Sequence, residues 1–285
     1  MEGLIASLRN LSGQSLKLAK RLAEYQRLLN DPVNNVHARE KALADIGREA
    51  AALPETGLKP QLDEWLAAER ADVEQRKTEF RFEFGRQFVS GLEGSGISVK
   101  GQLPVLRAGL FTLKADFFAG SATIYWGPEV EKLKSGLKLV PLELARTVRG
   151  YRDRLQQKAV EPERLLKQLH AAYRRYCVIN GVPEGTRVFL LDLLAELVLL
   201  MQPEAFRLNP AQEKFVEYPR IRFSYDLFRL KQAGNYAAGA ARMKLHVANF
   251  DATTEKAKAL WVPDNEEGEG THYSYLSFSS TGNGE

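Results

Sequence analysis

Disulfides are the first thing the sequence excludes. Its 285 residues include one cysteine, Cys177, so no bridge can form within the chain, and a lone thiol suits a reducing compartment. Histidine is also scarce. His37, His170, His246 and His272 are scattered, and only His170 and Cys177 share a helix face, seven residues apart; two ligands do not make a zinc site. There is no Gly-x-Ser-x-Gly, which leaves a nucleophile-elbow hydrolase without support. Long apolar runs are missing too. The most apolar stretch, Val188 to Met201, is broken by Asp192 and Glu196. As a helix it would span about 21 Å, short of the ~30 Å hydrocarbon layer. No membrane span is expected, nor is a secretory leader, because the N-terminal segment lacks a short apolar core and a small-residue cleavage site. A cytoplasmic location is the default.

What is present is an ordinary globular composition, 44% hydrophobic and 27% charged, with a net charge of +4. The first thirty residues carry the clearest pattern. Leu4, Leu8, Leu11, Ser15, Leu18, Leu22, Tyr25 and Leu29 follow at alternating gaps of 4 and 3, a heptad seam with one polar interruption. Oppositely charged flanking pairs that would select a second chain are largely missing, and the apolar stripe widens onto Ile5, Ala19 and Leu28. That breadth points to one wall of a helical bundle within the chain, with an intermolecular zipper as the alternative.

Further along, Asn30-Asp31-Pro32 breaks the pattern and Asn34 or Asn35 can cap a second helix, whose Leu43, Ile46, Ala50 and Leu53 keep the spacing of an antiparallel hairpin. Pro54 to Pro60 is a turn-rich link. A third helix runs from about Gln61 to Phe88, polar in the middle and aromatic at one end, so it either projects from or bridges packed bodies, or buries a narrow stripe in a bundle. Gly91, Gly94 and Gly96 then stop it. They follow a helix and precede a strand, the wrong order for a phosphate loop. Alternation in Leu110 to Phe118 and Ala122 to Trp126 predicts a hairpin turning at Ala119-Gly120. With Ile97–Lys100 and Pro104–Arg107 this makes a sheet of three or four strands that closes at Trp126-Gly127-Pro128. Helices are expected at Leu142–Lys158, Glu163–Ile179 and Thr186–Met201. After Pro210 the pattern is mixed: Ile221 to Leu227, Lys244 to Ala248 and His272 to Phe278 alternate like strands of a second sheet, although Phe223 to Leu230 also fits a helix. Asp264 to Gly270 is an acidic loop and Ser279 to Glu285 a disordered tail.

These elements give a mainly helical α+β fold: an N-terminal hairpin and coiled-coil-like bundle, a small central antiparallel sheet, a helical middle and a mixed C-terminal part. The boundaries fall at 1–90, 91–201 and 202–285.

Catalytic candidates are sparse. Asp192 and Glu196 lie four apart on one helix face, as an acid/base or metal pair needs, but no His or Cys joins them. Asp116 with Glu129, Glu131 and Lys132 is the only set resembling a metal-dependent nuclease, and it needs convergence at one strand pair. Ser135-x-x-Lys138 matches a catalytic pattern by letter only. Neither metal nor cofactor is called for.

Basic stretches are more informative. Leu142 to Ile179 has nine Arg and Lys against four acids, and Arg207 to Asn249 has eight against three, both interleaved with tyrosines. Arg146, Arg149, Arg152, Arg174, Arg175, Arg220 and Arg222 are therefore the candidate contacts to DNA or RNA phosphates, and Leu4, Leu8, Leu11, Leu18, Leu22 and Leu29 the candidate contacts to a protein partner. The expected role is a non-enzymatic adaptor or accessory subunit of a multiprotein assembly. By architectural analogy alone it would accompany a DNA-acting ATPase in genome maintenance or mobile-element defence. The alternatives are a metal-dependent hydrolase or nuclease and a self-associating coiled-coil scaffold. Oligomeric state is left open.

Overall fold

The computed structural model describes residues 2–53, 57–255 and 257–280. It is 54% helical and 20% strand, a mainly helical α+β fold. Three helices lead: α1 (Glu2–Leu28), α2 (Val36–Ala51) and α3 (Leu58–Ser90). Five strands follow, β1 (Val99–Gln102), β2 (Val105–Ala108), β3 (Phe111–Asp116), β4 (Ser121–Trp126) and β5 (Glu131–Lys138). Next come α4 (Pro141–Gln157), α5 (Pro162–Asn180), β6 (Val188–Phe189), α6 (Leu190–Leu200), α7 (Glu204–Leu208) and α8 (Arg220–Ala233). The chain ends with β7 (Ala237–Ala238), β8 (Ala241–Val247), α9 (Phe250–Thr254), β9 (Leu260–Pro263) and β10 (Gly270–Ser280).

In α1 the second half of the leucine seam is covered by the chain itself. Leu18 and Tyr25 are buried, and Leu22 and Leu28 partly so. Leu11 is half-exposed and Leu29, just past the helix, is 40% exposed. The side chains of Leu4 and Leu8, residues 54–56 of the Pro54–Pro60 link, and 281–285 lie outside the described residues. A buried guanidinium locks the three helices together. Arg39, only 1% exposed, donates from Nε to Tyr25 Oη at 3.1 Å and from Nη2 to Glu69 and Asp72 at 2.8 and 2.7 Å. Such a cation is tolerated in a core only because its hydrogens are satisfied by charged acceptors.

The 33-residue α3 both bridges and buries a stripe. Leu66, Val73, Phe80, Phe84 and Phe88 are buried along its whole length. It packs on α2 and α4 and reaches the β3–β4 turn, where Phe80 and Phe84 stand edge-on to Phe117. His37 of α2 wedges into this junction against Phe80, and burial pulls its imidazole below the usual value.

The first sheet is an antiparallel meander in the order β1-β2-β3-β4-β5. It does not close at Gly127-Pro128 as expected. Gly127 (φ 61°) and Glu129 (φ 58°) turn the chain into a fifth strand, which carries Glu131. Strand β5 gives little sequence signal because an end strand buries little: only Leu133 and Leu137 pack among its described residues, and a bulge breaks the alternation. The buried face carries Leu106, Phe111, Leu113, Ile124 and Trp126.

The second sheet runs β6-β10-β8-β7, with β9 also pairing with β10. The expected helix from Thr186 begins instead as β6, where Val188 and Phe189 pair with Leu276 and Tyr275, and turns helical only at Leu190. Ser279 and Ser280, assigned to a tail, belong to β10. Of the two readings open for Ile221 to Leu230, strand or helix, the structure has the helix, α8. Every residue from Phe223 to Phe228 is buried, so the helix has no wet face to impose a 3.6 period on its sequence. It is the keystone between the sheets: Trp126 Nε1 donates to Ser224 Oγ at 3.1 Å, and Ser224 Oγ donates to the Trp261 carbonyl at 2.5 Å. The two indoles pack edge-on with centroids 5.5 Å apart. Gly127 makes room for this, since a Cβ there would stand 2.9 Å from the Trp261 ring.

Candidate nucleic-acid interface

The seven arginines singled out from the sequence do not form one free surface. Arg152 binds Asp153 and the Ser95 carbonyl. Arg174 and Arg175 pair with Glu184 at 3.0 Å and Glu196 at 2.8 Å. Arg220 holds Glu131 at 2.8 Å and the Ala259 carbonyl, and Arg222 donates to the Lys158 carbonyl and lies over the Tyr218 ring. These side chains stitch α5 to α6 and α8 to its surroundings. Among the described residues, Arg146 and Arg149 are the two of the seven with no ion pair.

The carboxylates are dispersed as well. Asp116 Oδ1 accepts the Phe118 and Ala119 N–H groups at 3.0 and 2.8 Å and so shapes the β3–β4 turn. Glu129 pairs with Lys114 at 2.8 Å. Asp116 is opposite Ser121 while Glu131 is opposite Trp126, and those β4 positions are about 17 Å apart at the usual strand rise. The pair also point to opposite faces. On α6, Glu196 is taken by Arg175, and Asp192 accepts weakly from Tyr176 at 3.5 Å. The chain's one Glu-x-x-His spacing, Glu269 to His272, falls where β10 starts and not on a helix. Among the described residues no group of three potential metal ligands converges.

What the fold does gather is the outer face of the first sheet. Directly opposed residues of antiparallel strands share a face, so the register Lys100↔Arg107↔Thr112↔Tyr125↔Lys132 is one row across all five strands. A second row runs Val105↔Lys114↔Thr123. Two grooves cross this face. One, of about 560 Å³, lies between Arg81, Pro104, Lys114, Asp116, Phe118 and Tyr125. The other, of about 420 Å³, lies between Lys100, Arg107 and Glu267. Phe118 at the hairpin tip is 97% exposed, and the Arg81 guanidinium sits 5.2 Å over the Phe117 ring.

The charge on this face is graded. At the β1–β2 end the β9–β10 loop brings acids, with Lys100 paired to Glu267 and Arg107 bonded to the Gly268 carbonyl. At the β4–β5 end Lys132 is exposed and carries no ion pair among the described residues. The hydrogen bond from Lys114 to Glu129 raises the ammonium pKa, so this lysine stays charged. Sequence reasoning passed over the platform. The alternation in 110–126 already placed Thr112, Lys114 and Tyr125 outward, but without β5 the lysine-bearing end could not be seen.

No protein-family model, no curated protein and no solved structure matches the chain. No helix among the described residues is long and apolar enough to cross a membrane.

Proposed function

We propose that the protein is a non-enzymatic accessory subunit that holds single-stranded nucleic acid across the outer face of its first sheet. One observation carries this reading: an antiparallel face presents the half-buried Tyr125 and the exposed Phe118 beside Arg81, Lys114 and Lys132. Aromatic rings on which bases stack, interleaved with cations that follow the backbone, are what sequence-tolerant single-strand binding requires. Strand would enter from the lysine-rich β5 side and be limited by the acidic β9–β10 loop at the other. The nuclease reading receives no support from the placement of Asp116, Glu129 and Glu131.

Anisotropy of a labelled oligothymidylate or oligouridylate tests it. Binding should weaken steeply as salt rises, because each contacted phosphate releases counterions. The double variant Lys114→Glu, Lys132→Glu should lose roughly tenfold or more at low salt, and Phe118→Ser a smaller factor. Arg174→Glu with Arg175→Glu should change little. Salt-independent binding, or equal losses in both double variants, overturns the assignment.

A further inference from the structure

Among the described residues strand β5 pairs only with β4 and so leaves one edge open. A cleft of about 220 Å³ opens between β5, α4 and the start of α8. Its floor is apolar, with Leu133, Tyr151 and Ile221. The space equals that of about seven waters, room for one large side chain and not for a helix.

Its rim is cationic. Arg154, Lys158 and Arg222 stand against a single carboxylate, Glu217. Arg154 lies 4.6 Å over the Tyr151 ring and donates to its own helix at the Gly150 carbonyl. Neither Arg154 nor Lys158 has an ion-pair partner among the described residues. Arg222 Nε is buried with no hydrogen-bond acceptor, its closest carboxylate oxygen being that of Asp226 at 4.0 Å. Beside the cleft, β5 exposes Lys132 and Lys134 on either side of Leu133.

We propose that this cleft and edge bind an extended acidic peptide of a partner protein, added to β5 as a sixth strand with a large apolar side chain in the cleft. Strand addition supplies backbone hydrogen bonds, while alternate side chains supply specificity. The charge sets the class of partner. Edge lysines repel a second copy of the same strand, whereas carboxylates flanking an apolar anchor would meet Lys132, Lys134, Arg154 and Lys158. The cleft lies on the inner side of β5, and the site shares Lys132 with the nucleic-acid face, but the proposal stands on the apolar floor, Arg154 and Lys158 and does not depend on that reading.

The probe is a fluorescein-labelled octapeptide in which Asp alternates with Leu and a Phe stands in the middle. The expected result is saturable binding with Kd on the order of 10 µM, lost at least tenfold on Arg154→Glu with Lys158→Glu. Peptide N-methylated at alternate residues should also fail to bind, while the thermal melt of the double variant stays near that of the parent. Equal binding of a peptide with Lys in place of Asp, insensitivity to the double variant, or no binding at about fifty times that concentration overturns the proposal. So does competition by oligothymidylate that Arg154→Glu abolishes, which would make the cleft a nucleic-acid site.

Discussion

Replacing Asp226 by Asn probes the keystone helix through its pH dependence. The carboxylate is fully buried in α8; it accepts from Tyr218 Oη at 2.7 Å and from the Val160 N–H at 3.1 Å. Burial pushes its pKa from 3.8 up to about 6, and the bonds from Tyr218 and Val160 hold back part of that rise. Between those two values the folded chain keeps a proton that the unfolded chain has released. Stability from this group therefore falls as pH rises from about 4 to about 6 and then levels off, a loss on the order of 3 kcal/mol. Asp72 has the opposite sign: its bond from Arg76 depresses the carboxyl, so its contribution is present at neutral pH and is lost on acidification. Comparing parent and Asp226→Asn cancels that background. Urea unfolding should be followed at several pH values by tryptophan fluorescence, which reports this region because Trp126 bonds to the neighbouring Ser224. Asn cannot ionise, and its amide leaves a donor unmatched. The variant should be less stable at pH 4 by roughly 1–3 kcal/mol, and the gap should close or reverse by pH 7. A gap constant across that range would refute the reasoning, because it would mean that Asp226 is ionised in place without cost.

Arg39→Ala should destabilise the N-terminal helices by roughly 3 kcal/mol, since it leaves two carboxylates beside a buried tyrosine. Arg39→Lys should recover only part, lacking the planar fork. Trp65, edge-on to Tyr25 at 5.4 Å, is the natural fluorescent reporter, and a loss under about 1 kcal/mol would count against the locking role. Along α1, Leu18→Ala should cost about 2–4 kcal/mol and Leu29→Ala less than about 1; equal costs in urea melts would mean that Leu29 is covered by something other than the packing seen here.

The acidic and basic side chains show where reading by composition stopped. Counting charges along 142–179 and 207–249 correctly found arginine-rich segments, yet five of the seven chosen arginines spend their guanidinium groups on this chain's own carboxylates and carbonyls. Their partners Glu131, Glu184 and Glu196 come from other segments, and nothing in a linear charge count pairs them. Lys114 and Tyr125 were legible as outward residues of a hairpin. Their meeting with Lys132 was not, because the weakly alternating β5 gave no strand signal.

By itself the sequence determined the elements whose faces differ in chemistry. The second half of the leucine seam, the stripe of α3, the β3–β4 hairpin and helices α4 and α5 each bury one side, and a buried side repeats with the period of its element. Tertiary structure alone decided the rest. Helix α8 is buried on every side across Phe223–Phe228 and so leaves its sequence readable as strand or helix, and β5 is paired on one side among the described residues and so shows a faint period. The outer platform and the cleft at its edge exist only once distant segments pack, because which cations remain unpaired is a property of neighbours in space.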